Sequence, residues 1–208
     1  MAESTRPARA PQIPKARATK LFIEAVIELL ETRPIADISD QLIADTAGIN
    51  RATIYRHFGT RFELIDAVIA ELTQQRLAIA AETASSANSN GPGLEEKPPL
   101  ARILRRGQMI FQLAAYLSAQ NYQSDDLRAS MSSLSEWWIE HLERLGVPSR
   151  MAQTLAFKNM TLSLARASAA DLFALPDDVI ADIEALALVE IANFELSAEK
   201  LGWASDSH

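Results

Sequence analysis

The chain has 208 residues, 48% of them hydrophobic and 23% charged, with a formal net charge of −7 and no cysteine. That apolar fraction can fill a packed core, which excludes wholesale disorder. The missing cysteine excludes a disulfide framework, a thiolate metal site and a cysteine nucleophile. No stretch approaches the ~20 uninterrupted apolar residues of a membrane span. Residues 1–20 lack the apolar segment of a signal peptide, so a cytoplasmic protein is expected.

A net negative charge argues against a nucleic-acid partner, but its distribution argues the other way. Residues 1–20 hold five basic side chains against one acid, a local charge of +4, and residues 51–61 hold Arg51, Arg56 and Arg61 with no acid. Residues 171–208 hold nine acids against one lysine, while residues 64–170 balance at ten of each. Such polarity is a cue for a polyanion at the front end alone.

Apolar residues recur at helical spacing almost throughout, as in Phe22, Val26, Leu29 and Leu30, so an all-α protein is expected. Residues 1–14, with three prolines, read as a flexible basic arm. A first helix is predicted from Lys15 to Thr32, stopped before Pro34. A second runs from Ser39, whose hydroxyl can cap it, to Ala47, and Gly48 suits the left-handed turn that closes it. Asn50 caps a third short helix that ends near Phe58. Thr60 and Glu63 have capping-box spacing, which starts a fourth helix reaching about Thr83. Residues 84–99, rich in Ser, Asn, Gly and Pro, read as a flexible linker. Helices at about 100–119, 126–145, 149–173 and 177–201 follow, punctuated by Gly146-Val147-Pro148 and Leu175-Pro176-Asp177.

The second and third helices carry the most chemistry. Ala44 is small where two helices must cross, and Ile43, Ala47, Ile49, Ile54 and Phe58 form an apolar set that locks the pair at a large angle. With Ile54 at the centre of the buried face, Ala52 and Arg56 lie about 160° away, and Thr53 and Tyr55 flank them near 100°. The outward face therefore offers a methyl, a hydroxyl, a phenol and a guanidinium, with Arg51 near its start. Those groups suit major-groove base edges. His57 and Arg61 stand where the third helix passes into the fourth, a corner suited to phosphate. Taken singly, each of these residues could equally be a solvated surface side chain.

At these residues the sequence resembles the tetracycline-repressor (TetR) family. The run from Ser39 to Leu64 carries the likeness, above all Ile43-Ala44, Ala47-Gly48-Ile49, Thr53-Ile54-Tyr55-Arg56-His57-Phe58 and Arg61-Phe62-Glu63-Leu64. It covers about the first quarter of the chain. The resemblance implies an all-helical homodimer with an N-terminal helix-turn-helix and a larger C-terminal domain that binds a small molecule and supplies the dimer interface. Matched by position, contacts to the bases of a double-stranded operator fall on Gln41, Arg51, Ala52, Thr53, Tyr55 and Arg56. Contacts to phosphate fall on Ser39, Tyr55, His57 and Arg61. The family commonly has Lys where this chain has Arg61, which keeps the charge but changes its geometry. The chain divides accordingly into the arm, a helix-turn-helix domain at 15–60 and a ligand-binding and dimerisation domain at 61–208.

No comparable signature marks the C-terminal part. The last predicted helix is apolar nearly all round, and the one before it is rich in small residues, so the two are expected to pair with their symmetry copies. Ala165, Ala169, Ile183, Ala187, Ile191 and Phe194 are the candidate interface residues. Large side chains between the linker and these helices are candidates for an effector pocket: Met109, Phe111, Gln112, Tyr116, Trp137, Trp138, His141, Phe157 and Met160. Plain core is the competing reading for each, and of the adjacent Trp137 and Trp138 at most one is expected to face a cavity centre.

No cofactor, no metal and no enzymatic activity are expected. The three histidines are scattered, and there is no Gly-rich phosphate loop, nucleophile elbow or triad. The expected function is a ligand-responsive DNA-binding regulator, a repressor released from a palindromic operator by a small molecule. Two rivals stand beside it: a helix-turn-helix regulator controlled by a protein partner, and a helical enzyme or carrier. The second would need converging polar groups of perturbed pKa.

Overall fold

The computed structural model of the protein describes residues 13–87 and 98–173, with positions 189, 193 and 199–201, and side chains over 13–82 and 105–167. All regular structure among the described residues is helical. The order is α1 (Lys15–Leu30), a 3-10 turn (Ile35–Asp37), α2 (Asp40–Ala47), α3 (Ala52–Phe58), α4 (Arg61–Ala87), α5 (Pro98–Ala119), α6 (Asp125–Arg144) and α7 (Ser149–Phe173).

Local chemistry sets most of these boundaries. α1 buries Phe22, Ala25, Val26, Leu29 and Leu30 on one stripe and ends four residues before Pro34. The Ser39 hydroxyl accepts the Leu42 amide at 3.1 Å and so starts α2. Gly48 closes it at φ 65°, and the Ile49 amide reaches back to the Ala44 carbonyl at 3.0 Å. Asn50 Oδ1 accepts the Ala52 amide at 2.8 Å at the entry to α3. The capping box forms in both directions at α4: the Thr60 amide donates to Glu63 Oε2 at 2.6 Å, and the Glu63 amide donates to Thr60 Oγ1 at 3.1 Å.

α4 is 27 residues long, about 40 Å, and it joins the two halves of the molecule. Its Leu64, Ile65, Val68, Ile69 and Leu72 are fully buried in one continuous core. That core reaches from Phe22 of α1 through Ile43, Ile54, Ile110 and Leu117 to Leu134 of α6. A smaller cluster of Leu142, Val147, Met151, Ala152 and Leu155 closes the α6–α7 turn. A boundary at residue 60 therefore divides the sequence but not the core, because the first turns of α4 pack on the helix-turn-helix.

The expected linker at 84–99 is shorter than its composition suggests. Residues 84–87 continue α4, and Pro98 and Pro99 open α5. Ser and Ala are compatible with a helix, and proline is tolerated in a first turn, where its missing amide would have no partner. Residues 88–97 lie outside the described residues, as do the basic arm up to residue 12 and nearly all of the helix expected at 177–201.

Candidate nucleic-acid interface

α3 presents one exposed face made of Arg51 at its entry, Ala52, Tyr55 and Arg56. Ile54 is wholly buried beneath it, and Phe58 packs its ring edge-on against Phe22 of α1 at 6.2 Å. The Arg51 guanidinium lies 6.0 Å from the Tyr55 ring, one helical turn away, which draws the two side chains together. Ser39 and Gln41 are exposed on the neighbouring start of α2, where Gln41 donates to Asp45 Oδ1 at 2.8 Å.

Thr53 is a correction. It was expected on an outward flank but is buried at 8% exposure, and its hydroxyl lies 3.5 Å from Arg56 Nη2. At 100° from the helix centre line a short side chain is covered by the adjoining helix, whereas the longer Tyr55 on the opposite flank escapes.

Arg61 stands differently from its neighbours on that face. It was expected as a phosphate ligand, yet its guanidinium is turned inward and committed to protein groups. Nη1 pairs with Asp40 Oδ1 at 2.5 Å, and Nη2 donates to the Ile38 carbonyl at 2.6 Å and the Ile35 carbonyl at 3.1 Å. The other Asp40 oxygen accepts the Tyr55 phenol. Burial pushes the Asp40 carboxyl up, but the hydrogen bonds from Tyr55 and Arg61 and the charges of Arg61 and Arg51 outweigh it, so its pKa lies below the ordinary value. Asp40 thus ties α2 to both α3 and α4. The recognition surface is not free of acids, as the third helix taken alone suggests.

His57 is half-buried, and its Nδ1 is buried with no hydrogen-bond partner. Burial, followed by the charges of Arg56 and Lys15, lowers its pKa, so the imidazole is neutral at pH 7 in the free protein.

The nine residues expected to form an effector pocket separate into distinct places. Phe111, Gln112 and Tyr116 line an open cavity of about 650 Å³ between the end of α1, the 3-10 turn, α5 and α7. Met109 is a correction: at 1% exposure it belongs to the core, where Met160 packs against it from the edge. Phe157 is another, being 56% exposed on the outer side of α7. Trp137 and Trp138 are both half-buried, and both rings reach the Arg76 guanidinium, at 5.3 and 5.8 Å. His141 stacks on Trp137 at 5.2 Å. The indoles are long enough to converge on one cation although their Cα–Cβ directions diverge.

A second cavity, of about 680 Å³, opens between α4 and α6 and contains none of the nine. Among the interface candidates, Ala165 is exposed, Ala169 lies in α7 without a described side chain, and Ile183, Ala187, Ile191 and Phe194 lie outside the described residues. No group of three metal-ligating side chains occurs among the described residues, and none of their helices is long and apolar enough to cross a membrane.

A Gly-turned pair of short helices with a cationic exposed face, braced on a third and a fourth helix, defines a helix-turn-helix DNA-binding head. Residues 22–68 match the family model of bacterial regulatory proteins of the tetR family, and to that extent the head is similar to the DNA-binding part of those regulators. No curated protein matches the chain. Among solved structures it is similar to a TetR family repressor, AlkX from Dietzia sp., implicated in biodegradation of n-alkanes. Identity is 18% and the TM-score 0.48, over 85% of this chain and 96% of that one.

Proposed function

We propose that the protein is a small-molecule-responsive repressor that binds a palindromic operator as a homodimer. The observation that carries this reading is the exposed Arg51–Ala52–Tyr55–Arg56 face on a head whose core is continuous with a cavity-bearing body. Arg51 and Arg56 have the length and fork to reach guanine edges, and Ala52 suits a thymine methyl. Ser39, Tyr55 and neutral His57 border that face and are the proposed phosphate contacts, with Gln41 as a further base contact.

Dimerisation is supported by α7, which leaves Phe157 and Leu162 at 56% and 47% exposure. Apolar side chains so exposed on one helix favour cover by a second subunit. Two heads would then sit about one DNA turn apart. A ligand wedged between α4 and its neighbours shifts operator affinity only if it binds the two subunit arrangements unequally.

Sedimentation at micromolar concentration, followed by screening small molecules for release of a labelled operator, tests this reading. A dimer that lets go of DNA with at least one compound is the expected result. A monomer, or an operator complex indifferent to every compound that raises the thermal midpoint, contradicts it.

A further inference from the structure

The cavity between α4 and α6 has a chemistry unlike that of the aromatic candidates. Among the described residues that line it there is no Lys, Arg or His, while Glu63, Asp66, Glu71 and Asp126 supply four carboxylates. Arg76, one turn beyond, faces the Trp137–Trp138 pair instead.

Two lining side chains are incompletely satisfied. Asp66 is 5% exposed; its Oδ2 accepts Ser124 Oγ at 2.5 Å and the Tyr122 phenol at 3.3 Å, but its Oδ1 is buried with no partner. Thr73 is 3% exposed, and its Oγ1 is likewise buried and unpartnered. A buried polar atom left without a hydrogen bond costs about 1–3 kcal/mol, more when it is charged. Both atoms lie on one face of α4, seven residues and so about 10 Å apart along its axis. Both residues line this acidic cavity, and each carries a buried oxygen that no protein group satisfies.

We infer that this cavity binds an extended organic cation bearing N–H groups, a di- or polyamine, with one ammonium on Asp66 and a second N–H on Thr73. The ammonium donates to Asp66 Oδ1 as a charge-assisted bond. Glu71, whose carboxylate also accepts from Gln75 at 2.6 Å, adds negative potential between the two ends. A quaternary ammonium is disfavoured, because it has no N–H to offer and Tyr122 is the one aromatic ring among the described lining residues. Ser124 caps α6 as well as touching Asp66, so occupancy of Asp66 is felt at the start of α6. As the effector site of the proposed repressor, the cavity rests on the reading above; as an amine site it does not.

Calorimetric titration of the full chain with spermidine at pH 7 tests the inference, with tetramethylammonium as the comparison. Spermidine is expected to bind the wild type, tetramethylammonium at least about tenfold more weakly, and Asp66→Asn is expected to weaken spermidine about tenfold or more. Thr73→Val is expected to weaken it about threefold or more while leaving the thermal midpoint unchanged or raised, since it removes an unsatisfied hydroxyl. That second variant decides the matter if Asp66→Asn fails to fold. Absence of spermidine uptake, or uptake unaffected by Thr73→Val and by any folded Asp66 variant, overturns the inference. Uptake through Asp66 that leaves operator binding unchanged upholds the site and counts against the effector role. Operator release by a neutral or anionic compound without spermidine uptake overturns the amine site and leaves the repressor reading standing.

Discussion

Arg61→Ala is expected to lower the stability of the protein by about 3 kcal/mol, the cost of breaking a mostly buried charge pair from one side. The side chain closes the head: it pairs with Asp40 at 2.5 Å and donates to the Ile35 and Ile38 carbonyls, while the side chains of both charged partners are less than one-fifth exposed. Its removal leaves an uncompensated carboxylate and two carbonyls short of a donor. Urea unfolding measures the loss, and Arg61→Lys should recover about half of it, because an ammonium keeps the charge without the guanidinium fork. The pH dependence has a definite sign. The folded Asp40 pKa lies below its ordinary value of 3.8, so the pair's stabilisation is complete above that value and is lost as pH falls through the folded pKa. Arg61→Ala should therefore move the acid unfolding midpoint upward. A variant of unchanged stability that has lost DNA binding would instead make Arg61 the phosphate ligand suggested by the sequence.

Arg76→Met is expected to do the opposite and stabilise the protein. Arg76 is 5% exposed on α4, its Nε has no hydrogen-bond partner, and it joins no ion pair among the described residues. Gly107 of α5 makes room for it; a Cβ there would lie 3.4 Å from Nε. Burial lowers the guanidinium pKa to about 10. Against an ordinary arginine, that displacement opposes folding by about 3 kcal/mol at neutral pH. The two indole faces return about 1–2 kcal/mol. Methionine fills similar space without the charge, so a gain of about 1–2 kcal/mol is expected, equal at pH 6 and pH 8 because the penalty is complete below pH 10. Equilibrium urea unfolding at both pH values measures it. A loss of more than about 1 kcal/mol would mean that the cation contributes more than its two rings supply.

These two arginines show where the sequence is legible and where it is not. Features decided within four residues appear in both sequence and structure: the Ser39 cap, the left-handed Gly48 and the reciprocal Thr60–Glu63 box. The helix-turn-helix follows from such features plus one apolar stripe. The Asp40–Arg61 pair spans 21 residues and depends on how α4 crosses α2, which no local spacing encodes. Thr53 sits at the edge of its stripe, where 20° of helix rotation or one neighbouring side chain decides exposure. Among the pocket candidates, helical periodicity marks Met109 and Phe111 as inward but cannot separate core from cavity wall. A usable signal was nevertheless present in α4. Asp66 and Thr73 are spaced by seven residues and both buried alongside the apolar Leu64–Leu72 stripe, a polar line on a buried face.

Binding to the DNA upstream of the protein's own coding sequence, followed by anisotropy at about 50 and 200 mM salt, tests most directly whether α3 reads DNA. A dimer neutralising at least six phosphates should lose affinity by about a thousandfold between the two. Arg56→Ala on each subunit should weaken binding further, with the exposed guanidinium gone and the fold intact. No retention of that DNA at the lower salt, or retention equally strong at both and indifferent to Arg56→Ala, would contradict it.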